Sequence, residues 1–398
     1  MAQKGKKGNS NLHITESGKG TRRKAKNWYK RKYLKHALTL GMVILAVSGT
    51  FLLLAFQEYS RARDVKTYEY NTSDSNELVQ FGDGIVRYNG DGVVYLDSKG
   101  RQLWNQACQM RNPVMVQNDD AFVIADRGGS SIQVFTKVGL KGEMETTMPI
   151  EMVTVSNQGI VAALLQNENT PKIMCYDAAG NVLVEHSVTA NSSGYPINMS
   201  IAKDGKLLLV SYLSTKDGNL SSRIVYYNFD AVGQDETDNA VTEENYADEI
   251  VPTTFFMDEE TSAIVGDSTF RIYKGTQIPE LSKEVNLGAT IKSTFHTNKY
   301  IGFVLNKSNA SENELRIYRT NGSIVLSKTF TGSYAHAKMV NNEVFLYDGT
   351  KCCIITLSGI QRFKGDVSLD ITDIMPITGI NKYLVISTRE MKSIHLAK

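Results

Sequence analysis

Cysteine, histidine and tryptophan are scarce in this chain of 398 residues, which holds four, six and two of them. The cysteines are Cys108, Cys175, Cys352 and Cys353, and no two of them have the C-x-x-C spacing that is typical of zinc sites. Four cysteines are also too few for a disulfide framework, so stability has to come mainly from a hydrophobic core. We therefore expect no metal site.

Catalytic motifs are absent from the sequence as well. It has no H-E-x-x-H, no G-x-S-x-G, no G-x-x-x-x-G-K-[ST] and no dinucleotide-binding glycine pattern after a strand. Isolated histidines are most often ordinary surface or packed residues, and five of this kind lie near or beyond the apolar segment: His36, His186, His296, His336 and His395. We assign no catalytic, cofactor-binding or metal-binding residue and expect no cofactor, and the sequence favours a protein that is not an enzyme.

Long hydrophobic runs are rare too, and the one that is present lies near the N-terminus. The twenty residues 37–56 carry no charge, and eleven of them are Leu, Ile, Val or Phe. Twenty helical residues span about 30 Å, the thickness of a hydrocarbon core. The segment therefore predicts a single transmembrane helix. It ends in Phe56-Gln57-Glu58-Tyr59, which lacks the small-residue cleavage site of a signal peptide, so we expect an uncleaved anchor.

Charge is unevenly distributed around this segment. Residues 1–35 hold twelve Lys and Arg and one acid, whereas residues 36–398 hold 32 basic and 41 acidic residues. The basic excess before the span predicts a cell-membrane protein with a cytoplasmic N-terminus and an extracytoplasmic C-terminal domain. Residues 1–36 would form a basic, mostly disordered cytoplasmic tail. Because basic and aromatic residues are common beside a membrane span, we expect no nucleic-acid partner.

The rest of the chain predicts short strands instead of long helices. Runs rich in Val, Ile, Tyr, Phe and Thr are separated by Asp-Gly turns. The stretch VVYLDSKGRQLW from residue 93 has relatives further along, such as KIMCYDAAGNVLVEH from residue 172 and LRIYRTNGSIVLSKTF from residue 315. Equivalent strand ends recur at intervals of 38 to 51 residues, which indicates four-stranded propeller blades.

The repeats divide residues 65–398 into eight units that begin near residues 77, 112, 150, 195, 250, 290, 334 and 370. The last unit has room for only three strands, while residues 66–71 are strand-like and have no hairpin partner. Pairing the two would remove an open sheet edge. We predict an all-β ectodomain, an eight-bladed β-propeller closed by an N-terminal strand, or a seven-bladed one if a weak unit is only a loop. Residues 57–64 would be a linker.

One acidic segment interrupts the repeats. Residues 229–250 carry eight acids between Asp230 and Glu249 and neither Lys nor Arg. We expect an inserted, solvated surface loop. The alternative is a binding element, because a concentrated acidic patch attracts cations or a basic partner.

The stretches VYLDSKGRQLW and CYDAAGNVLV resemble the repeats of quinoprotein-type propellers, in which a strand, an Asp, a Gly turn and a following Trp recur. The resemblance covers most of residues 77–398, but only Trp104 occupies the tryptophan position, where other copies have Val184 and Leu326. The layout of basic tail, single span and divergent PQQ-repeat-like or WD40-like propeller is similar to an uncharacterised family of membrane-anchored bacterial proteins. The resemblance implies a propeller at the cell membrane without an assigned function.

The same resemblance raises the idea of a quinone-dependent enzyme, because some such dehydrogenases carry a bond between neighbouring cysteines. Cys352 and Cys353 are adjacent here. They lie in the strand-like run CCIITL, where successive side chains point to opposite faces, so a disulfide between them would break the strand. No set of calcium and quinone ligands can be matched, and no site residue is carried over.

Two functions follow as hypotheses. The first is a non-catalytic scaffold at the cell envelope, held by the single span, whose loops and channel mouth bind a protein or glycan partner. The second is an exported enzyme or small-ligand sensor with a site on the propeller axis. Convergent His, Asp, Glu or Arg side chains around a concave axial site would favour the second, and a featureless axis the first. The sequence favours the scaffold.

Overall fold

The chain forms an N-terminal helix and a β-propeller. The computed structural model describes residues 5, 33–50, 56–69, 76–166, 170–187, 194–216, 219–306 and 312–398. They belong to two compact units, residues 1–57 and 58–398. In the first unit, α1 (Tyr33–Thr50) is long and apolar enough to cross a membrane, and a signal sequence near the N-terminus meets the same criteria. Most of the predicted tail, residues 1–36, lies outside the described residues.

The second unit consists of eight four-stranded antiparallel sheets, the blades. Strand β1 (Arg61–Glu69) precedes the first complete blade. Blade 1 comprises β2 (Glu77–Phe81), β3 (Gly84–Asn89), β4 (Gly92–Leu96) and β5 (Gln102–Ala107). Blade 2 comprises β6 (Pro113–Gln117), β7 (Ala121–Asp126), β8 (Ser131–Thr136) and β9 (Gly139–Glu145). Blade 3 comprises β10 (Ile150–Val155), β11 (Val161–Leu165), β12 (Lys172–Tyr176) and β13 (Val182–Ser187). Blade 4 comprises β14 (Tyr195–Ile201), β15 (Leu207–Lys216), β16 (Asn219–Asn228) and β17 (Ala240–Ala247).

The remaining four blades follow in the same order. Blade 5 comprises β18 (Thr253–Phe256), β19 (Thr261–Val265), β20 (Thr269–Lys274) and β21 (Glu280–Asn286). Blade 6 comprises β22 (Ile291–His296), β23 (Tyr300–Asn306), β24 (Glu312–Arg319) and β25 (Ile324–Thr331). Blade 7 comprises β26 (His336–Val340), β27 (Glu343–Asp348), β28 (Lys351–Thr356) and β29 (Gln361–Asp366). Blade 8 comprises β30 (Asp373–Pro376), β31 (Lys382–Ile386), β32 (Glu390–Ala397) and, as its outer strand, β1.

Strand β1 closes the ring. It pairs antiparallel with β32, from Arg61 opposite Ala397 to Glu69 opposite Glu390. The predicted eight-bladed propeller with an N-terminal closing strand is therefore confirmed. The strand starts at Arg61, five residues before the predicted start, so half of the predicted linker 57–64 is part of the sheet. Residues 70 and 71, its predicted end, lie outside the described residues.

The hydrophobic core of the described residues falls into eight clusters, one at each interface between neighbouring blades. Strand alternation produces this arrangement, because successive side chains of a buried strand point to opposite faces. In β7, Phe122 and Ile124 pack against blade 1, whereas Val123 and Ala125 pack against blade 3. Each blade is therefore buried on both sides, and the ring needs every neighbour.

The repeated Asp-x-x-Gly stretch is the turn between the third and outer strands. Asp97 Oδ1 accepts hydrogen bonds from the backbone N–H groups of Lys99 (2.8 Å) and Arg101 (2.9 Å). Gly100 has a φ of +73°, which side chains disfavour. Asp177 makes the equivalent bonds in blade 3. After this connection the register shifts once in each of blades 1–7, and in blade 8 the β1–β32 pairing shifts between Asp64 and Lys66. Such a bulge twists the exposed edge and limits edge-to-edge pairing.

The acidic segment 229–250 is only partly a loop, which corrects the expectation from its composition. It contains α2 (Ala231–Gln234), a short 3-10 turn (Thr237–Asn239) and the whole of β17, the outer strand of blade 4. Acidic residues fit there because an outer strand exposes one face to water. Glu243, for example, accepts hydrogen bonds from Arg223 of the neighbouring strand at 2.7 Å.

The two ends of the propeller carry different connections. One end, here called the turn face, carries the turns from the first to the second strand of each blade and, in blades 1–7, the connections from the third to the outer strand. The other end, the loop face, carries the turns from the second to the third strand and the connections from blade to blade.

Candidate functional site

Three blades meet across the propeller axis at the turn face. Asp119 lies in the β6–β7 turn of blade 2, Lys203 in the β14–β15 turn of blade 4, and Asn298 in the β22–β23 turn of blade 6. Asp119 Oδ2 accepts hydrogen bonds from the Lys203 ammonium and from Asn298 Nδ2, the latter at 3.0 Å. Blades 2 and 6 are opposite in an eight-bladed ring, so these bonds cross the axis. We call these three residues the axial bridge.

The contacts of the axial bridge shift the pKa values of the groups around it. Burial alone would raise the pKa of Asp119, but the hydrogen bonds from Lys203 and Asn298 and the Lys203 charge outweigh it, and the pKa is lowered. His296, at the end of β22, stacks on Phe255 with ring centroids 3.9 Å apart. Burial, and then the Lys203 charge, lower the pKa of His296 to about 4, although the imidazole remains exposed at the axis. His296 is therefore neutral at pH 7.

A second polar cluster lies on the inner strands of blades 7, 8 and 1. The Lys338 ammonium donates to a carboxylate oxygen of Asp373 and to Gln80 Oε1, the latter at 3.0 Å. The other Asp373 oxygen accepts from the Gln80 backbone N–H at 3.1 Å. Burial lowers the pKa of Lys338, while the Asp373 charge opposes that change. These two clusters make the described part of the axis polar, and within each cluster the charged groups are paired: Asp119 with Lys203 and Lys338 with Asp373.

A groove of about 320 Å³ opens on the loop face at blade 2. Its walls are the connection from blade 1 to blade 2, which carries Arg111, the β7–β8 connection and the end of β9. Ser130 donates a hydrogen bond to Glu145 Oε2 (2.6 Å), and Arg127 donates to Glu151 Oε1 (2.9 Å). No pattern of residue types pointed to this groove in the sequence.

The histidines and cysteines do not form a shared site in the part of the chain that the structure describes. No group of three His, Cys, Asp or Glu side chains there could hold a metal ion. Three of the histidines contact aromatic rings instead, in the pairs His186–Tyr227, His296–Phe255 and His336–Tyr347.

Cys352 and Cys353 are both free and buried. They lie on opposite faces of β28, with Cys352 between blades 7 and 8 and Cys353 between blades 6 and 7. Burial raises the pKa of both thiols, that of Cys353 to about 11. The strand geometry thus keeps the adjacent thiols apart and unreactive, as the alternation argument predicts.

The chain belongs to a family of unknown function, DUF5711, whose sequence pattern matches residues 55–396. A comparison with curated proteins finds no match. Among solved structures, the chain is similar to BamB from Moraxella catarrhalis, with a TM-score of 0.52 and 10% identity over 84% of this chain and 100% of that one. It is also similar to AztD from Citrobacter koseri, with a TM-score of 0.52 and 10% identity over 76% and 88% of the two chains. At such identities the likeness shows the propeller fold alone.

Proposed function

We propose that this member of the DUF5711 family is a non-catalytic scaffold of the cell envelope. In this proposal α1 crosses the cell membrane with the N-terminus in the cytoplasm, and the propeller binds an envelope protein through its loop face. The basic excess before the apolar segment supports this orientation. Eight blades buried on both sides support a rigid platform whose loops carry the binding residues.

The proposal rests on a difference between the axis, where charged groups are paired with each other, and the loop face, which has an open groove. A catalytic acid, base or nucleophile needs a functional atom within hydrogen-bond reach of a substrate. On the axis the charged groups are engaged in two pairs, Asp119 with Lys203 and Lys338 with Asp373, and the exposed His296 ring is stacked on Phe255. At the loop face, in contrast, the blade 2 groove is open and lined by polar side chains. We therefore place partner binding at the loop face.

In-cell photo-crosslinking tests this proposal. A photoreactive phenylalanine analogue replaces Gln109, which lines the groove, or Val182, a control on the outer strand of blade 3 whose side chain is 54% exposed. We expect a discrete protein crosslink, identified by mass spectrometry, from position 109 and none from position 182. Crosslinks to glycan only, equal crosslinks from both positions, or none from position 109 would count against an envelope protein bound at the groove.

Labelling of intact cells tests the topology separately. Val138 is 92% exposed at a turn of blade 2, so a cysteine there is accessible to reagents. We expect a membrane-impermeant maleimide to label Val138→Cys in intact cells. Labelling only after lysis would place the propeller in the cytoplasm and overturn the orientation.

A second function, small-ligand sensing at the axis, is supported by one observation. Lys338 is a partly buried cation on the inner surface of the ring, with 23% of its side chain exposed beside Asp373 and Gln80. A thermal shift of the full-length protein by succinate or inorganic phosphate, lost in Lys338→Met, would support it. No shift in the wild type, or the same shift in the variant, would count against it.

A further inference from the structure

One face of blade 2 carries a row of polar groups toward the loop face. In the register of β8 and β9, Gln133 lies opposite Glu143 and Ser131 lies opposite Glu145. Directly opposed residues of two paired strands share one face of the sheet. Ser131 and Glu145 line the groove, and Gln133 and Glu143 occupy the next position inward on the same face.

Gln133 offers an unused acceptor at this position. Its side chain is only 6% exposed, and its Nε2 donates to Glu143 Oε2 at 3.5 Å. Its Oε1 is buried and has no hydrogen-bond partner among the described residues. Two positions further along β8, Phe135 stacks on Trp104 of blade 1 at 5.5 Å, so this face is turned toward blade 1. An incoming donor at the groove would satisfy the buried carbonyl.

Three other blades supply their own cation at the equivalent place. Counted from the register shift, the position of Glu143 corresponds to Glu185 in blade 3, Glu243 in blade 4 and Glu284 in blade 5. Each of these glutamates is paired with a basic residue of the neighbouring strand, namely Lys172, Arg223 and Arg271. Blade 2 has Gln133 where blade 5 has Arg271, and Glu143 has no ion-pair partner in the described part of the chain.

The charges around the groove favour a cation. Four carboxylates, those of Asp126, Glu143, Glu145 and Glu151, lie in or beside it, against the two guanidinium groups of Arg111 and Arg127. Glu151 engages Arg127 at 2.9 Å, and Asp126 Oδ1 accepts from the backbone N–H groups of Arg111 and Asn112. Glu143 and Glu145, whose hydrogen bonds come from the neutral side chains of Gln133 and Ser130, outnumber the Arg111 guanidinium, which has no ion-pair partner among the described residues, and so attract an external positive charge.

We propose that this groove binds a Lys or Arg side chain of a partner protein, whose charged group donates to Gln133 Oε1 and pairs with Glu143 and Glu145. The inference rests on the proposed scaffold function and names the chemistry of the partner. A polypeptide is the occupant because the groove opens onto the loop face, and the long stem of a Lys or Arg side chain reaches past Ser131 and Glu145 toward Gln133 and Glu143, the next position inward.

Peptide binding to the full-length protein in nonionic detergent tests the inference. The probe is a fluorescent Gly-Gly-Arg-Gly-Gly peptide, followed by anisotropy, and its control has citrulline in place of Arg. We expect the Arg peptide to bind at least tenfold more tightly than the citrulline peptide, because charge-assisted hydrogen bonds are about twice as strong as neutral ones. Equal binding of the two peptides would overturn the inference.

Two variants assign the binding to this groove. Glu143→Gln should weaken Arg-peptide binding about tenfold, whereas Glu185→Gln, the matched position of blade 3, should not change it. Gln133→Arg should abolish binding and raise the melting temperature, because it supplies the internal cation that Arg271 provides in blade 5. If Gln133 had only a structural role, a variant that is more stable than the wild type would still bind the peptide. Binding by Gln133→Arg as tight as that of the wild type would therefore refute the proposal.

Three further outcomes separate this inference from the scaffold function. If spermidine binds more tightly than the peptide, a small amine is the occupant and the partner-protein assignment is wrong. If the crosslink from position 109 persists while the Arg and citrulline peptides bind equally, the scaffold stands and only the basic-side-chain inference fails. Absence of that crosslink in the otherwise unchanged protein would count against the scaffold itself.

Discussion

Asp119→Ala removes the centre of the axial bridge. Lys203, with 8% of its side chain exposed, would keep its charge without a counter-ion, and Asn298 would lose its acceptor at 3.0 Å. Removing one partner of a fully buried ion pair costs about 3–5 kcal/mol, and an exposed pair contributes at most about 1 kcal/mol. Asp119 is 47% exposed, so this pair lies between the two cases. We expect a loss of about 2 kcal/mol in the free energy of unfolding.

Thermal unfolding of the full-length protein in nonionic detergent measures this loss. At about 2.1 cal/mol/K per residue, a propeller of residues 58–398 has an unfolding entropy of about 0.7 kcal/mol/K. A loss of about 2 kcal/mol then lowers the melting temperature by about 3 °C. Asp120→Ala is the matched control, because the Asp120 carboxylate makes no hydrogen bond or ion pair among the described residues. We expect it to melt within about 0.5 °C of the wild type.

A double-mutant cycle tests the cause. Lys203→Met removes the buried charge itself, so the double variant with Asp119→Ala contains no unpaired ammonium. We expect the double variant to be more stable than Asp119→Ala alone, because the cost of the single change is mostly the stranded charge. Equal melting of Asp119→Ala and Asp120→Ala, or losses that simply add in the double variant, would refute the axial bridge as a stabilising contact.

Three further outcomes can be measured in the same way. The pKa of His296 is about 4 when folded and about 6.5 when unfolded. Below pH 6.5 the unfolded chain therefore binds a proton that the folded protein does not, and the free energy of unfolding falls as the pH drops from 6.5 toward 4. In His296→Gln the free energy of unfolding should fall by about 1 kcal/mol less across that pH window, a value below the full pKa shift because the ring is exposed. The same pH dependence in the variant and the wild type would contradict this. Tyr59 is buried between blades 7 and 8 and accepts a hydrogen bond from Asn381 at 2.7 Å. Tyr59→Phe should cost about 1 kcal/mol and Tyr59→Ala about 3–5 kcal/mol, so equal effects would exclude a packed ring. A thiol reagent should react with at most one of the four thiols in the native protein and with all four in the unfolded protein. Reaction of only two thiols after unfolding would indicate a Cys352–Cys353 disulfide.

The number of blades could be predicted because the inner three strands of each blade are buried on both sides. Their apolar residues leave a strong pattern, as in β7 and β28, and the turn residues Asp97 and Gly100 mark the hairpin that follows. An outer strand needs few apolar residues, so its pattern is weak. The early start of β1 and the strand β17 inside the acidic segment escaped prediction for this one reason.

The axial bridge could not be predicted from local patterns. Lys203 lies 84 residues from Asp119, and Asn298 lies 179 residues from it. All three sit in turns, where Asp, Asn and Lys are common for reasons of backbone geometry alone. Only the ring places these turns around one point, so the polar axis becomes visible when blade positions, not residue types, are known.

The basic-side-chain groove could be predicted in part, because the equivalent positions of the other blades show which residue to expect. Blades 5 and 6 carry Arg271 and Arg316 at the position that Gln133 occupies in blade 2, and both arginines pair with a glutamate. An alignment of the third strands would have shown the missing cation, but not that Gln133 Oε1 is buried without a partner. In a protein built from repeated blades, a blade that lacks a charge its siblings supply is a place to look for a charge from outside.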